Sequence, residues 1–222
     1  ALNIVTARIK HLTRQDWEPL YATRLYNTFP EQISTLTNTL DLPDYLLLPI
    51  SITLHGTALT WGTDVKGWPG SKTPYRALRL TSTTRSWYPS SRLYTDAIEG
   101  LSITGWFGVS YAYPAAWLSS GDAVQDNPLS SSATSVTVTD ADGADGLGRT
   151  PRFSPGNLIR IDDEVCTVLA VNTTTNVLTV QRGARGTTAA AHTQGAAITT
   201  WQPEPDIQRI AARQAGQLYA RR

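Results

Sequence analysis

The sequence predicts an α+β protein that is mainly β, with helical elements at the N-terminus and C-terminus, a β-rich body and an inserted small β-barrel-like module. Three observations predict it. Apolar residues recur at helical spacing only near the two ends of the 222-residue chain. Alternating apolar and polar residues fill most of the first half, and five short strand-like runs crowd together in the second.

Leu2, Val5, Ile9 and Leu12 lie at helical spacing with no residue before them that starts or caps a helix, so residues 1–12 read as the end of a longer one. Tyr21 to Thr28 alternates, and Pro30 closes it as it closes an edge strand. Tyr45-Leu46-Leu47-Leu48-Pro49, the alternating Ile50 to Leu54, and Thr57 to Trp61 after Gly56 predict a hairpin or meander. Pro69, Gly70 and Pro74 mark a loop before a strand at Tyr75 to Leu80, and Ala97 to Phe107 supplies another. The stretch Ser119 to Thr134 is rich in Ser, Gly, Asp and Pro and reads as a surface connection at a module boundary. Strands then follow at Ser135 to Thr139, Leu158 to Ile161, Val165 to Val171, Val177 to Gln181 and Ala196 to Thr200. Asp162-Asp163-Glu164 falls between two of them and reads as a solvated hairpin tip rather than a metal site.

A final helix starts at Pro205 and Asp206, both favourable in a first turn. Ile207, Ile210, Ala211, Gln214 and Leu218 form its packing stripe, and Arg209 and Arg213 share another face one turn apart. The predicted division is a body of residues 1–120 with 201–222 and a module of residues 121–200.

A hydrophobic fraction of 41% against 17% charged residues suits a folded chain with a real core. Nineteen basic and eighteen acidic residues leave a net charge of +1, which excludes a strongly basic nucleic-acid binder but not local patches. No run approaches the roughly 18 consecutive apolar residues of a membrane span, and residues 1–10 lack the long apolar region of a signal peptide, so the expected setting is the cytoplasm or particles assembled there. The acceptor-like Asn172-Thr173-Thr174 carries no weight without secretion.

Chemistry-bearing sets are sparse. The single Cys166 sits in a strand-like run and reads as a small buried side chain. His11, His55 and His192 are isolated and lack zinc-ligand spacing, which makes each a surface or hydrogen-bonded histidine. Residues 140–146, Asp-Ala-Asp-Gly-Ala-Asp-Gly, miss the distant glutamate of a calcium loop and place Asp145 where its glycine belongs; a flexible acidic loop is the expectation. Gly143, Gly146 and Gly148 do not lead a strand into a helix as a phosphate cradle does. No catalytic, cofactor or metal residue is therefore assigned, and no enzymatic activity is expected. Trp17, Trp61, Trp68, Trp87, Trp106, Trp117 and Trp201 are scattered and divide among core, interface and ligand platform.

Two stretches carry a resemblance. Residues 153–164, Phe-Ser-Pro-Gly-Asn-Leu-Ile-Arg-Ile-Asp-Asp-Glu, followed by Val168 to Val171, by residues 178–192 (Leu-Thr-Val-Gln-Arg-Gly-Ala-Arg-Gly-Thr-Thr-Ala-Ala-Ala-His) and by Gly195 to Ile198, resemble a module that recurs in tailed-phage neck and tail proteins. Within it Gly183 and Gly186 permit tight or left-handed backbone, and Arg182 and Arg185 suit a clamp on the loop or on a neighbouring subunit. The C-terminal helix, with Ala211-Ala212-Arg213-Gln214-Ala215 and Leu218-Tyr219-Ala220-Arg221-Arg222, resembles that of the tailed-bacteriophage head-to-tail connector, or adaptor, family. Ala7-Arg8-Ile9, Tyr21 to Tyr26, Leu46 to Gly62 and residues 103–108 resemble the order of elements in the family's longer members, although the family usually begins with more helix.

The resemblance implies a homo-oligomeric, twelve-membered ring under the portal protein that extends the DNA channel and joins the capsid to a head-completion, stopper or tail protein. It implies a virion location at the portal vertex, assembly in the host cytoplasm, no cofactor, no membrane contact, and double-stranded DNA passing through the lumen without specific binding. The near-neutral charge suits such a lumen, because each phosphate neutralised by Lys or Arg adds affinity. Arg209, Arg213, Tyr219, Arg221 and Arg222 are the implied portal-docking residues. Trp106, Trp117, Arg182, Arg185 and Trp201 are candidates for subunit or module interfaces. The rival readings are another neck, baseplate or fibre-associated structural part, a carbohydrate-binding module built on tryptophan platforms, and a tail-associated glycosidase with two carboxylates in a cleft.

Overall fold

In the computed structural model the described residues are 2–34, 36–68, 70, 72–81, 86–89 and 94–220, side chains excepted at 2–7, 94, 218 and 219. The chain forms two compact units, residues 1–113 with 203–222, and residues 114–202. In chain order the elements are helix α1 (Leu2–Thr13) and strands β1 (Leu20–Tyr26), β2 (Ile33–Ser34), β3 (Thr39–Leu54), β4 (Thr57–Leu59), β5 (Val65–Trp68) and β6 (Tyr75–Leu80). Helix α2 (Tyr94–Ala97) and strands β7 (Leu101–Phe107), β8 (Trp117–Ala123), β9 (Ser135–Thr137), β10 (Leu158–Ile161), β11 (Glu164–Asn172), β12 (Val177–Gln181) and β13 (Ala197–Trp201) follow, before helix α3 (Pro205–Ala220). The protein is thus mainly β, built on two antiparallel sheets with few helices. No helix among the described residues is long and apolar enough to cross a membrane.

The first unit is organised by β3, which is one 16-residue strand where the sequence suggested separate segments. Its first half pairs with β2 and β6 and its second half with β7 and β4. Register shifts at Asp41/Leu46 and Pro49/Ser51 absorb Pro43 and Pro49, since a proline cannot donate to a ladder and sits at such irregularities. His55 and Gly56, at φ 48° and 76°, join β3 to β4 in the two-residue hairpin that right-handed strand twist favours. The sheet order is β1-β7-β3-β6-β5, which puts β1 at an edge. Gly105 fixes how closely β3 approaches β7: a Cβ there would stand 2.3 Å from the Leu48 carbonyl oxygen. Leu46, Ile52, Leu78, Leu101, Ile103 and Phe107 centre the core, with Trp87 closing it and donating from Nε1 to the Asn38 carbonyl at 3.1 Å.

The second unit is a six-stranded sheet in the order β8-β13-β10-β11-β12-β9. A backbone hydrogen bond from Gln125 N to Thr137 O reaches from the segment after β8 to β9, but the two edge strands form no ladder. The expected barrel is therefore an unclosed sheet. Val136, Phe153, Ile159, Ile161, Val168, Leu178 and Ile198 fill its core. Strand β8 runs into the start of the stretch expected to be a surface connection, over Ser119 to Ala123. Its Ser-Ser-Gly-Asp composition hides the pairing that Trp117 and Leu118 make with Trp201 and Thr200.

Candidate functional site

The densest polar constellation lies in the second unit, on the residues that form the motif of the resemblance. Ile161 pairs with Glu164 across the β10–β11 turn, so Glu164 opens β11 and shares a face with Cys166 and Val168. Alternation along a strand then sends all three inward. Glu164 is 2% exposed, which corrects the expectation of a solvated hairpin tip for the acidic trio; Asp162 keeps its exposed position at φ 51°.

A buried carboxylate needs partners on both oxygens. Arg182, at the end of β12, supplies a two-pronged pair: Nε donates to Glu164 Oε1 and Nη2 to Oε2, each at 2.7 Å. The Gly183 and Ala190 amides donate to Oε1 and Oε2, both at 2.9 Å. His192 sets Nε2 2.9 Å from Oε2 and Nδ1 2.7 Å from Asp162 Oδ2. Arg182 spends its remaining donors inside the module, on the carbonyls of Ser130 and Ala133 at 2.9 Å and of Ala190 at 2.6 Å. Its side chain is 6% exposed, so of the two roles open to it the loop clamp is the one displayed, and its guanidinium is not offered to a neighbour. Gly183 and Gly186 adopt positive φ, as expected, and Arg185 does so as well while remaining half-buried.

Burial alone would raise the Glu164 carboxyl, but the hydrogen bonds from Arg182, Ala190, His192 and Gly183 outweigh it and hold the group down at about 2. Arg182 is raised, first by its hydrogen bonds to Glu164. Burial, reinforced by the Glu164 charge, pushes the Cys166 thiol up to about 12, which leaves little of the reactive thiolate. The cluster is thus an electrostatic latch that ties the loop of residues 182–192 to the β10–β11 turn.

Acid should release this latch. A carboxyl at about 2 when folded and 4.5 when unfolded contributes stability that is fully present above pH 4.5 and is lost as pH falls towards 2. We expect the second unit to lose on the order of 2–3 kcal/mol across that window, measured as urea midpoints at a series of pH values.

The acidic loop of residues 140–146 is pinned rather than flexible, a second correction. Asp122, whose side chain is fully covered, accepts from the Ala123, Thr139 and Asp140 amides at 2.7, 3.0 and 2.9 Å. Arg152 bridges Asp122 at 3.2 Å and Asp140 at 3.5 Å, and Asp145 pairs with Arg149 at 2.7 Å. Burial opposes ionisation of Asp122, yet the three amides draw its carboxyl below the usual range.

The candidate interface tryptophans are buried within the single chain. Trp106 is 6% exposed and meets Tyr21 edge-on at 5.3 Å. Trp117 and Trp201, paired across β8 and β13, pack edge to face at 5.2 Å, with the Arg160 guanidinium 5.1 Å over Trp117. In α3, Arg209 and Arg213 are exposed, as the two-faced helix predicts. Ile207, Ala211 and Gln214 are half-covered, whereas Ile210 of the expected packing stripe is 46% exposed. Glu204 anchors the start of α3 by accepting from Ser110 Oγ at 3.1 Å and the Tyr111 amide at 2.7 Å. The Leu218 and Tyr219 side chains, together with Arg221 and Arg222, lie outside the described residues.

The structure therefore brings Asp162, Glu164, Arg182 and His192 into one cluster, joins Trp117 to Trp201, and keeps Arg209 and Arg213 together. Sequence reasoning missed Glu164 and the link to His192. Alternation gave no signal for it, because apolar residues stand at both parities of β11, at Val165, Leu169 and Val171 as well as at Cys166 and Val168. Comparison with protein-family models finds no match, and comparison with curated proteins finds none.

Proposed function

We propose that the chain is a structural head-to-tail adaptor of a tailed phage, forming a twelve-membered ring under the portal, lengthening the DNA channel and presenting a platform to the next neck or tail protein. The observation that supports this reading is the latch. Asp162, Glu164, Arg182, Gly183, Ala190 and His192, on which the resemblance to a recurring virion module rests, form one connected hydrogen-bonded set. The motif thus describes a folding element, as suits a module reused for architecture. The exposed Arg209 and Arg213 on α3 add a cationic face suited to carboxylates of a portal.

A ring whose subunits meet head to tail needs two different surfaces on each copy. Association must also offset a substantial loss of translational and rotational freedom, so the free chain is expected to be monomeric and to close into a ring on the portal. Density-gradient sedimentation with purified portal assemblies tests the reading. The chain should travel with the portal and alone remain at the top of the gradient; a chain that never travels with the portal of its own phage removes the proposal.

A further inference from the structure

In the first unit, an open groove of about 640 Å³ runs along the β5–β6 hairpin, within the range of small-ligand sites. Trp61 and Trp68 line it at 36% and 37% exposure, and Tyr75 lies between strand and groove, 5.3 Å from Trp61. Gly67 makes room for this ring: a Cβ there would stand 2.0 Å from Tyr75 Cδ1. Lys66 and Arg79, both exposed, are direct cross-strand partners on one face, and the Arg79 guanidinium stands 5.7 Å over Trp68.

Like charges directly opposite one another on neighbouring strands destabilise a sheet. Among the described residues no carboxylate pairs with either one. Two adjacent cations beside aromatic surface therefore call for an anion that carries a flat apolar face. Single-stranded nucleic acid wants a cationic track several nucleotides long, and here the cations are one adjacent pair, room for a single anionic group. A peptide strand wants a long unprotected edge, and β5 has four residues and carries Lys66, features that blunt strand addition. A saccharide ring offers a flat C–H face for the indoles and hydroxyls for the polar rim.

We propose that this groove binds an acidic saccharide, with the sugar ring laid against Trp68, which shares the face of Lys66 and Arg79, and its carboxylate held between these two cations. The site is independent of the adaptor reading and stands or falls without it. The test is isothermal titration calorimetry of the full chain with trigalacturonate, with neutral maltotriose and with a thymidine trinucleotide. Trigalacturonate should bind, and the other two should bind at least about tenfold more weakly, the size of one charge-assisted hydrogen bond. Lys66→Gln with Arg79→Gln should abolish the preference, and Trp68→Ala should weaken binding of the acidic sugar. Because the cation pair is repulsive, each glutamine variant should be at least as stable as the parent chain, so lost binding is separable from lost folding. Equal binding of maltotriose, tighter binding of the trinucleotide, no binding of trigalacturonate, or destabilisation by the glutamine substitutions would each overturn the proposal.

Discussion

Arg182→Ala is expected to cost the second unit about 3–5 kcal/mol, because it leaves the Glu164 carboxylate buried without its counter-charge. Domains of this kind hold only about 5–15 kcal/mol in total, so the substitution should bring the unit close to unfolding. Urea denaturation followed by tryptophan fluorescence reads the change, with Trp117 and Trp201 as reporters in that unit. Arg182→Lys keeps the charge but loses the two-pronged geometry, and should fall between alanine and the parent. Glu164→Gln should also destabilise, and the double variant should cost clearly less than the two single losses added together, since the residues form one network. A loss below about 1 kcal/mol for Arg182→Ala would place the pair among exposed salt bridges of little consequence and remove the latch.

The second large effect is expected on α3. Arg209→Glu with Arg213→Glu reverses the exposed cationic face while leaving the half-covered positions Ile207, Ala211 and Gln214 untouched. If this face docks on portal carboxylates, the double reversal should weaken portal binding about 100-fold or more, the loss of two charge-assisted contacts with repulsion put in their place. Far-ultraviolet circular dichroism should stay unchanged. Unaltered portal affinity would move the docking surface away from this helix.

The parts of the fold that were legible in the sequence are those where a local signal and the final environment agree. Strands β10 and β12 coincide with the alternating runs that announced them, and the C-terminal helix starts where Pro205 and Asp206 favour a first turn. What was not legible depended on pairing at long range. Strand β3 looked like separate segments because Pro49 ends one run before the next begins, and the register shifts opposite β6 and β7 make room for it and for Pro43. Strand β8 looked like a loop because Ser, Gly and Asp dominate it, and its Asp122 accepts three amides that no local pattern announces. The latch was half legible. Arg182 and its glycines marked a clamped loop, but Glu164 stood in an acidic trio that composition assigns to water. The partners that justify its burial lie 18 to 28 residues away.

The adaptor reading is tested most directly by weighing the portal, alone and after incubation with the chain, by mass photometry. A closed ring adds a discrete increment equal to twelve copies of the 24.2 kDa chain to each portal, and the Arg209→Glu, Arg213→Glu variant should lose it. An unchanged portal mass, or a broad increment that rises with concentration without closing at a fixed number, would contradict the adaptor reading.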